Sequence, residues 1–230
     1  MVQRSLIFNV IFYSSIVFFG ITCLPALCSR KLTRLVVVCW SRMIILSLQK
    51  IIRTKICYEN RHILKKKGYL IAANHQSAFD TIFFFKEFDK VIYIVKKELK
   101  YIPIYGWYAM RLGNIFLNRK ERIKSVKKLS SDVSEFLKKG YKVIIFPEGT
   151  RQVDKIGRIK PGIFAIQKAC KCKVYPIFIN SGKVWPKNTL LKYNKVIKVK
   201  TLPYINYSIN KNDFLEKLET SFKKEYYENT

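Results

Sequence analysis

Acidic side chains are scarce in this chain of 230 residues: 15 Asp and Glu stand against 44 Lys and Arg, a formal net charge of +29. Five of the acids, Asp213, Glu216, Glu219, Glu225 and Glu228, fall in the last 20 residues, so the remainder is more basic still. Such a balance favours a polyanionic partner: nucleic acid, an anionic membrane surface, phosphorylated substrates or acidic carrier proteins. Part of the excess also reflects a composition rich in Lys, Ile, Asn and Tyr together, the bias of a genome poor in G and C. Histidine is rarer than acid, with only His62 and His75, and this count excludes a His-rich metal site. The six cysteines form no C-x-x-C pair and no even framework, which argues against zinc fingers and secreted disulfide scaffolds and predicts reduced, buried thiols. Catalysis, if present, is therefore expected to be metal-free. No helix-turn-helix or RNA-sheet signature accompanies the positive charge, so no nucleic-acid partner is expected. There is also no internal repeat and no low-complexity linker, and the length suits one α/β core with a short appended element.

What the chain does have is apolar sequence at its start. Residues 6–27 are 22 positions without a charge. As a helix rising about 1.5 Å per residue they would reach roughly 33 Å, enough to cross a bilayer. The small-residue cleavage site of a signal peptide is missing, which favours a retained anchor. A second apolar stretch, residues 35–48, carries Arg42 and is too short to span comfortably. Basic residues flank both stretches: Arg4 before, Arg30, Lys31 and Arg34 between, and Lys50, Arg53 and Lys55 after. Two crossings would put the middle cluster outside, against the positive-inside tendency. The expectation is a two-helix membrane element over residues 1–57 that dips into one leaflet from the cytoplasmic side, with a single crossing as the alternative. Residues 58–230 would form the remaining domain.

In that domain, residues 69–73, 91–95, 141–146, 174–179 and 196–199 read as strands. Residues 77–85, 120–139 and 162–169 read as helices, the second carrying Ile123, Val126, Leu129, Val133 and Phe136 at spacings of three and four and stopped by Gly140. Phe214, Leu215, Leu218 and Phe222 mark a closing amphipathic helix. The predicted fold class is α/β, a mixed and mostly parallel sheet covered by helices, preceded by the N-terminal two-helix membrane element.

Two segments at predicted strand ends can carry chemistry. In Asn74-His75-Gln76-Ser77-Ala78-Phe79-Asp80, His75 and Asp80 would lie about 140° apart on a continuous helix and can meet only if His75 precedes the helix, with Ser77 as its N-cap. Asp80 could then fix the imidazole tautomer while the other ring nitrogen acts as general base. The same Ser77-x-x-Asp80 spacing is also a capping box with no catalytic meaning. In Phe146-Pro147-Glu148-Gly149-Thr150-Arg151, Gly149 lets the backbone turn and Arg151 can fork onto a phosphate; the alternative is a surface turn with a Glu148–Arg151 ion pair.

These two segments, in this order and roughly 70 residues apart, resemble blocks of the lysophosphatidic acid acyltransferase family, the glycerolipid acyltransferases with a His-x-x-x-x-Asp motif. Gly113-Asn114-Ile115-Phe116-Leu117-Asn118-Arg119 is similar to the family's second block, and Val174-Tyr175-Pro176-Ile177-Phe178-Ile179-Asn180-Ser181-Gly182 to its fourth. Lys97-Glu98-Leu99 with Pro103 and Gly106 resembles the stretch preceding the second block. The resemblance implies transfer of a fatty acyl group from acyl-CoA or acyl-ACP (acyl carrier protein) to the sn-2 hydroxyl of 1-acyl-glycerol-3-phosphate, giving phosphatidic acid, with no cofactor and no metal. It carries the catalytic pair onto His75 and Asp80, and acceptor binding onto Arg119, Glu148, Gly149, Thr150 and Arg151, while Pro176 falls in the donor-associated block. It also implies membrane lipids and lysophosphatidic acid as partners and a bacterial inner membrane as location, the catalytic domain facing the cytoplasm. Asn118 departs from the family's usual Asp before the Arg, which bears on the choice of acceptor. Glycerol-3-phosphate, another lysophospholipid or a lyso-aminolipid remain alternative acceptors, and a basic membrane-peripheral lipid-binding scaffold is the non-enzymatic alternative.

Overall fold

Two long helices come first, α1 (Val2–Thr22) and α2 (Arg30–Ile51), joined by a short helical turn at Leu24–Cys28. There follow β1 (Lys55–Glu59), β2 (Tyr69–Ala73), α3 (Ala78–Glu87), β3 (Val91–Lys96), α4 (Tyr105–Leu112), β4 (Ile115–Leu117) and α5 (Lys124–Lys138). The chain closes with β5 (Lys142–Ile145), α6 (Gly162–Cys170), β6 (Val174–Ile179), β7 (Val196–Thr201) and α7 (Lys211–Glu228). The computed structural model describes residues 1–64, 68–118, 124–153 and 155–228, with the backbone alone for 124–127.

The seven strands make one sheet in the order β1-β7-β6-β2-β5-β3-β4. Every neighbouring pair is parallel except β6 with β7. The sheet is therefore mixed and mostly parallel, as its run of apolar strands alternating with helices predicts. Alternation along a strand splits the core into two layers. Ile71 and Ala73 of β2 point to a cluster with Phe8, Ile45, Leu48, Phe79 and Phe83. Leu70 and Ala72 point to the opposite cluster, with Leu129, Val133, Ile163, Phe214 and Leu218. Helices α1 to α3 thus cover one face of the sheet and α5 to α7 the other.

Several elements depart from the pattern reading. β1, with alternating exposure along an edge position, gives too short and too polar a signal to separate from a basic link, and the expected boundary at residues 57 and 58 falls inside it. The first turn of the expected helix 120–139, including Lys120 and Ile123, lies outside the described residues. α2 is 22 residues long because it runs past its apolar stretch into its basic flanks. The reason is visible at Arg30 and Arg34, whose guanidinium carbons sit 5.3 and 5.0 Å from the Tyr141 ring centroid, so these cations dock on the domain rather than on solvent. The thiols also differ from expectation, since none is buried: Cys28, Cys39 and Cys57 are exposed and Cys23, Cys170 and Cys172 half-buried.

α1 is built inside out. It buries Ser5, Asn9, Ser15 and Gly20 along with Phe8, and exposes Leu6, Ile7, Val10, Val17, Phe18 and Ile21. A helix in water does the reverse. Small and polar residues at the protein contact with apolar ones outside are the arrangement expected against lipid. The helix is fastened to the domain near both ends. Ser5 Oγ accepts from the Lys192 amide at 2.9 Å and Asn9 Nδ2 donates to the Leu190 carbonyl at 2.6 Å, while at the far end Tyr108 Oη donates to the Phe19 carbonyl at 3.2 Å. Midway, Trp40 Nε1 of α2 donates to Ser15 Oγ at 3.0 Å.

Candidate active site

The parallel strands β6, β2 and β5 are neighbours, so their C-terminal ends share one edge of the sheet. Each delivers a polar residue just beyond that edge: Ser181 after β6, His75 after β2 and Glu148 after β5. The helices that follow β2 and β5 leave on opposite faces, α3 into one core layer and α6 into the other. The crevice between such strands is where open α/β sheets bind ligands.

His75 sits in the loop and Ser77 caps α3, so the side chains of His75 and Asp80 meet: Nδ1 lies 2.9 Å from Asp80 Oδ2. The same Oδ2 accepts from the backbone amides of Gln76 at 2.7 Å and Ser77 at 2.9 Å, and Oδ1 accepts from the Ser181 hydroxyl. Capping box and His–Asp pair are thus one structure rather than alternatives. Asp80 is fully buried and acts as acceptor toward the two amides and the hydroxyl, so Nδ1 must carry its hydrogen and Nε2 is left as the basic atom. Among the described residues Nε2 has no hydrogen-bond partner, and the side chain is 15% exposed. The ring is held flat on Phe146, centroids 4.1 Å apart and planes 19° apart, and Phe146 in turn stacks with Tyr93 at 6.1 Å.

Glu148 is 3% exposed and does not pair with Arg151. Its Oε1 accepts from the His75 amide at 2.8 Å and Oε2 from the Gly157 amide at 2.7 Å. A Cβ on Gly157 would come within 2.6 Å of Oε2, so only glycine admits this contact. The carboxylate therefore staples the loop after β2 to the loop after β5, assisted by the Gln152 amide donating to the His75 carbonyl at 2.8 Å. Burial pushes the carboxyl up to about 7, against the opposing pull of the two amides.

Gly149 turns the chain at φ +70°, which puts Thr150 on the surface and Arg151 half-buried with no acidic partner among the described residues. Arg151 is close enough to Tyr105 for its charge to ease the deprotonation of a phenol that burial otherwise raises. Pro176 is not brought to the site. It is buried inside β6 opposite Ala72, three residues before the strand end, with its carbonyl accepting from the Leu202 amide at 2.9 Å. Arg119 lies outside the described residues. Among the described residues no three His, Cys, Asp or Glu side chains gather as a metal site would need.

Four positions that pattern reading left without a role contribute here. Asn74, fully buried, replaces the ladder where β2 and β6 part, with Nδ2 donating to the Ile179 carbonyl at 2.9 Å and Oδ1 accepting from the Ile179 amide at 2.7 Å. Gln76 Oε1 accepts from the Gly182 amide at 3.0 Å, Ser181 grips Asp80, and Phe146 carries the His75 ring. The available signal was position: in adjacent parallel strands, polar residues two or three places past the apolar run converge on one edge.

Glu148 yields a stability test. In the unfolded chain the carboxyl titrates near 4.5 and in the folded protein near 7, so the native state binds its proton more tightly between those values. This contribution to stability is greatest below 4.5, falls as pH rises through the interval and is level above about 7, an effect of roughly 3 kcal/mol. Thermal unfolding at about pH 5 and about pH 8 should show a larger loss of Tm in the native protein than in Glu148→Gln, which cannot ionise. Parallel losses would assign the titration to other groups.

Three comparisons bear on this geometry. A model of the family described as acyltransferase matches residues 55–180. The chain is 35% identical over 178 residues to the 1-acyl-sn-glycerol-3-phosphate acyltransferase of Pseudomonas aeruginosa, covering 76% of this chain and 68% of that one. It is 30% identical over 161 residues to the enzyme of the same name from Helicobacter pylori, covering 68% of each chain, and 30% identical over 122 residues to that of Saccharomyces cerevisiae, covering 51% of this chain and 40% of that one. The chain thus spans about two thirds of the length of these bacterial relatives and under half of the yeast one. The crystal structure of the 1-acyl-sn-glycerophosphate (LPA) acyltransferase from Thermotoga maritima superposes with a TM-score of 0.78 over 99% of this chain and 95% of that one at 21% identity, which establishes the shared fold. With the family model spanning over half its length and a relative 35% identical across most of it, the chain belongs to the acyltransferase family.

Proposed function

We propose that the chain transfers a fatty acyl group from a thioester to the free hydroxyl of 1-acyl-glycerol-3-phosphate, forming phosphatidic acid. The observation that carries this reading is His75 with Nδ1 committed to a buried Asp80 and Nε2 free at the sheet edge, in a chain 35% identical to a protein of that activity. Nε2 removes the proton of the acceptor hydroxyl as its oxygen attacks the thioester carbonyl. The tetrahedral intermediate then expels the thiolate, which takes the proton back from the imidazolium, so the protein starts and ends in one protonation state. No acyl-enzyme is required. Arg151, half-buried without an acidic partner among the described residues, supplies a guanidinium fork for the acceptor phosphate. Glu148, Gly149 and Thr150 shape the loop that presents it, and Arg119 is proposed as a second phosphate contact on the resemblance of its block.

Membrane association is part of the same reading. α1 and α2 are both long and apolar enough to cross a bilayer. Yet α1 is bonded to the domain near both ends, and Arg30 and Arg34 bind the same domain at the start of α2. A hairpin so fastened lies along one leaflet with residues 58–230 on the same side, here the cytoplasmic one.

His75→Ala should lower turnover by about 10²–10⁴-fold with the fold intact by circular dichroism. Normal turnover in that variant, assayed with lysophosphatidic acid and either acyl-CoA or acyl carrier protein as donor, would remove His75 as base. Arg151→Ala should raise the KM for the acceptor by about tenfold or more; an effect confined to the donor would contradict a phosphate role. In sealed right-side-out vesicles a membrane-impermeant maleimide should leave Cys28 unlabelled. Labelling from outside would defeat the one-leaflet arrangement.

A further inference from the structure

Beside the site, and outside the catalytic machinery, lies a second apolar surface. Tyr101, Ile102, Tyr105, Trp107 and Met110 are all exposed, Tyr101 at 72% and Trp107 at 45%. Lys96, Lys97, Lys100 and Arg111, also exposed, border them and outnumber the exposed Glu98 in the same stretch. Aromatic and aliphatic side chains rimmed by cations are the composition of a bilayer interface, where rings sit at headgroup depth and the charges meet phosphates.

The segment has an unusual backbone conformation and a specific attachment. Ile104 holds φ +63° and ψ −65°, and the Tyr105 amide donates to the Pro103 carbonyl at 2.7 Å, which together make a γ-turn of the sign that β-branched residues rarely adopt. Such a backbone persists only where its surroundings over-determine it. Here the surroundings are α1: Ile104 packs on Gly20, where any Cβ would come 2.4 Å from Ile104 Cγ2. Around that contact Tyr108 Oη donates to the Phe19 carbonyl at 3.2 Å, Arg30 Nε to the Leu112 carbonyl at 2.9 Å and the Arg111 guanidinium to the Cys28 carbonyl. The shelf is thus continuous with the end of α1, whose exposed Val17, Phe18 and Ile21 extend the same apolar surface.

We propose that residues 101–110 form a second membrane-contacting element, seated in the interface of an anionic bilayer beside α1, with the basic rim on lipid phosphates. α1, apolar on its outer face, already selects lipid as the neighbour, and a surface continuous with it meets the same neighbour. The element also carries Tyr105, whose hydroxyl feels the charge of Arg151, so it sets the mouth of the phosphate site at the lipid boundary. This last point rests on the acyltransferase reading; the membrane contact does not.

The test uses the full chain reconstituted in phosphatidylcholine–phosphatidylglycerol vesicles, with phosphatidylcholine brominated on its acyl chains as quencher. The wild type should lose more emission than Trp107→Phe, because the variant lacks a fluorophore in the bilayer. Equal quenching in the two proteins would place Trp107 outside lipid and overturn the proposal, as would a size measurement showing the shelf covered by a second copy. A separate arm reads function. Ile102→Glu and Tyr101→Glu should raise the KM for vesicle-borne lysophosphatidic acid by about tenfold while leaving turnover of a short-chain soluble analogue unchanged. Quenching as expected with no acyl transfer in the wild type would spare the membrane element and reject the acyltransferase reading alone.

Discussion

The Asp80 carboxylate is the group on which the rest of the site depends. Four donors converge on its two oxygens: an imidazole, two backbone amides and a hydroxyl from a distant strand end. Each does something different. The amides start α3, the imidazole contact sets the tautomer of His75, and Ser181 ties the arrangement to β6. A buried carboxylate is costly unless its lone pairs are filled, and here filling them is what assembles the site. Local helix chemistry and the placement of the imidazole therefore cannot vary independently: a change that frees the cap also frees His75.

Glu148 repeats the device across the neighbouring strand. It could have paired with Arg151, three residues on, as surface acids and bases commonly do. Instead its two oxygens hold backbone amides of two loops, and Arg151 is left with charge to spare. The positive φ of Gly149 separates the two, and under the proposed function this matters because an arginine neutralised by its own turn would offer little to a phosphate. The chain's scarcity of acids acts in the same direction over the whole surface.

Much of this was legible in the amino-acid order, and the gaps have physical causes. The central strands and their helices are apolar at clear periods, so β2, β5, β6 and α3 stand where expected. β1 and β4 were missed because one is an edge strand with an alternating polar face and the other spans three residues. His75, Asp80, Glu148 and Arg151 could be singled out because their segments match the blocks of a known family and interrupt apolar runs with reactive groups. Ser181 and Asn74 could not, since their roles arise only when β6 lies against β2, a pairing between residues over 100 positions apart that no local pattern encodes. Pro176 lies within the stretch 174–179 that reads as a strand, and its place inside the sheet follows from that reading.

The hairpin is less separable than the word anchor suggests. Phe8, Ile44, Ile45, Leu48 and Ile52 are part of the same buried cluster as Ile71, Phe79 and Phe83 beneath the site. At about 2 kcal/mol for each buried side chain of this size, those five carry an amount comparable to a domain's whole net stability of roughly 5–15 kcal/mol. The same two helices that turn Leu6, Ile7 and Val10 outward thus line the protein's interior with a different set of side chains on their opposite face. Proteolytic shedding, which turns many surface-tethered enzymes into circulating ones, is therefore disfavoured by this architecture: a domain parted from α1 and α2 would lose one wall of its own core.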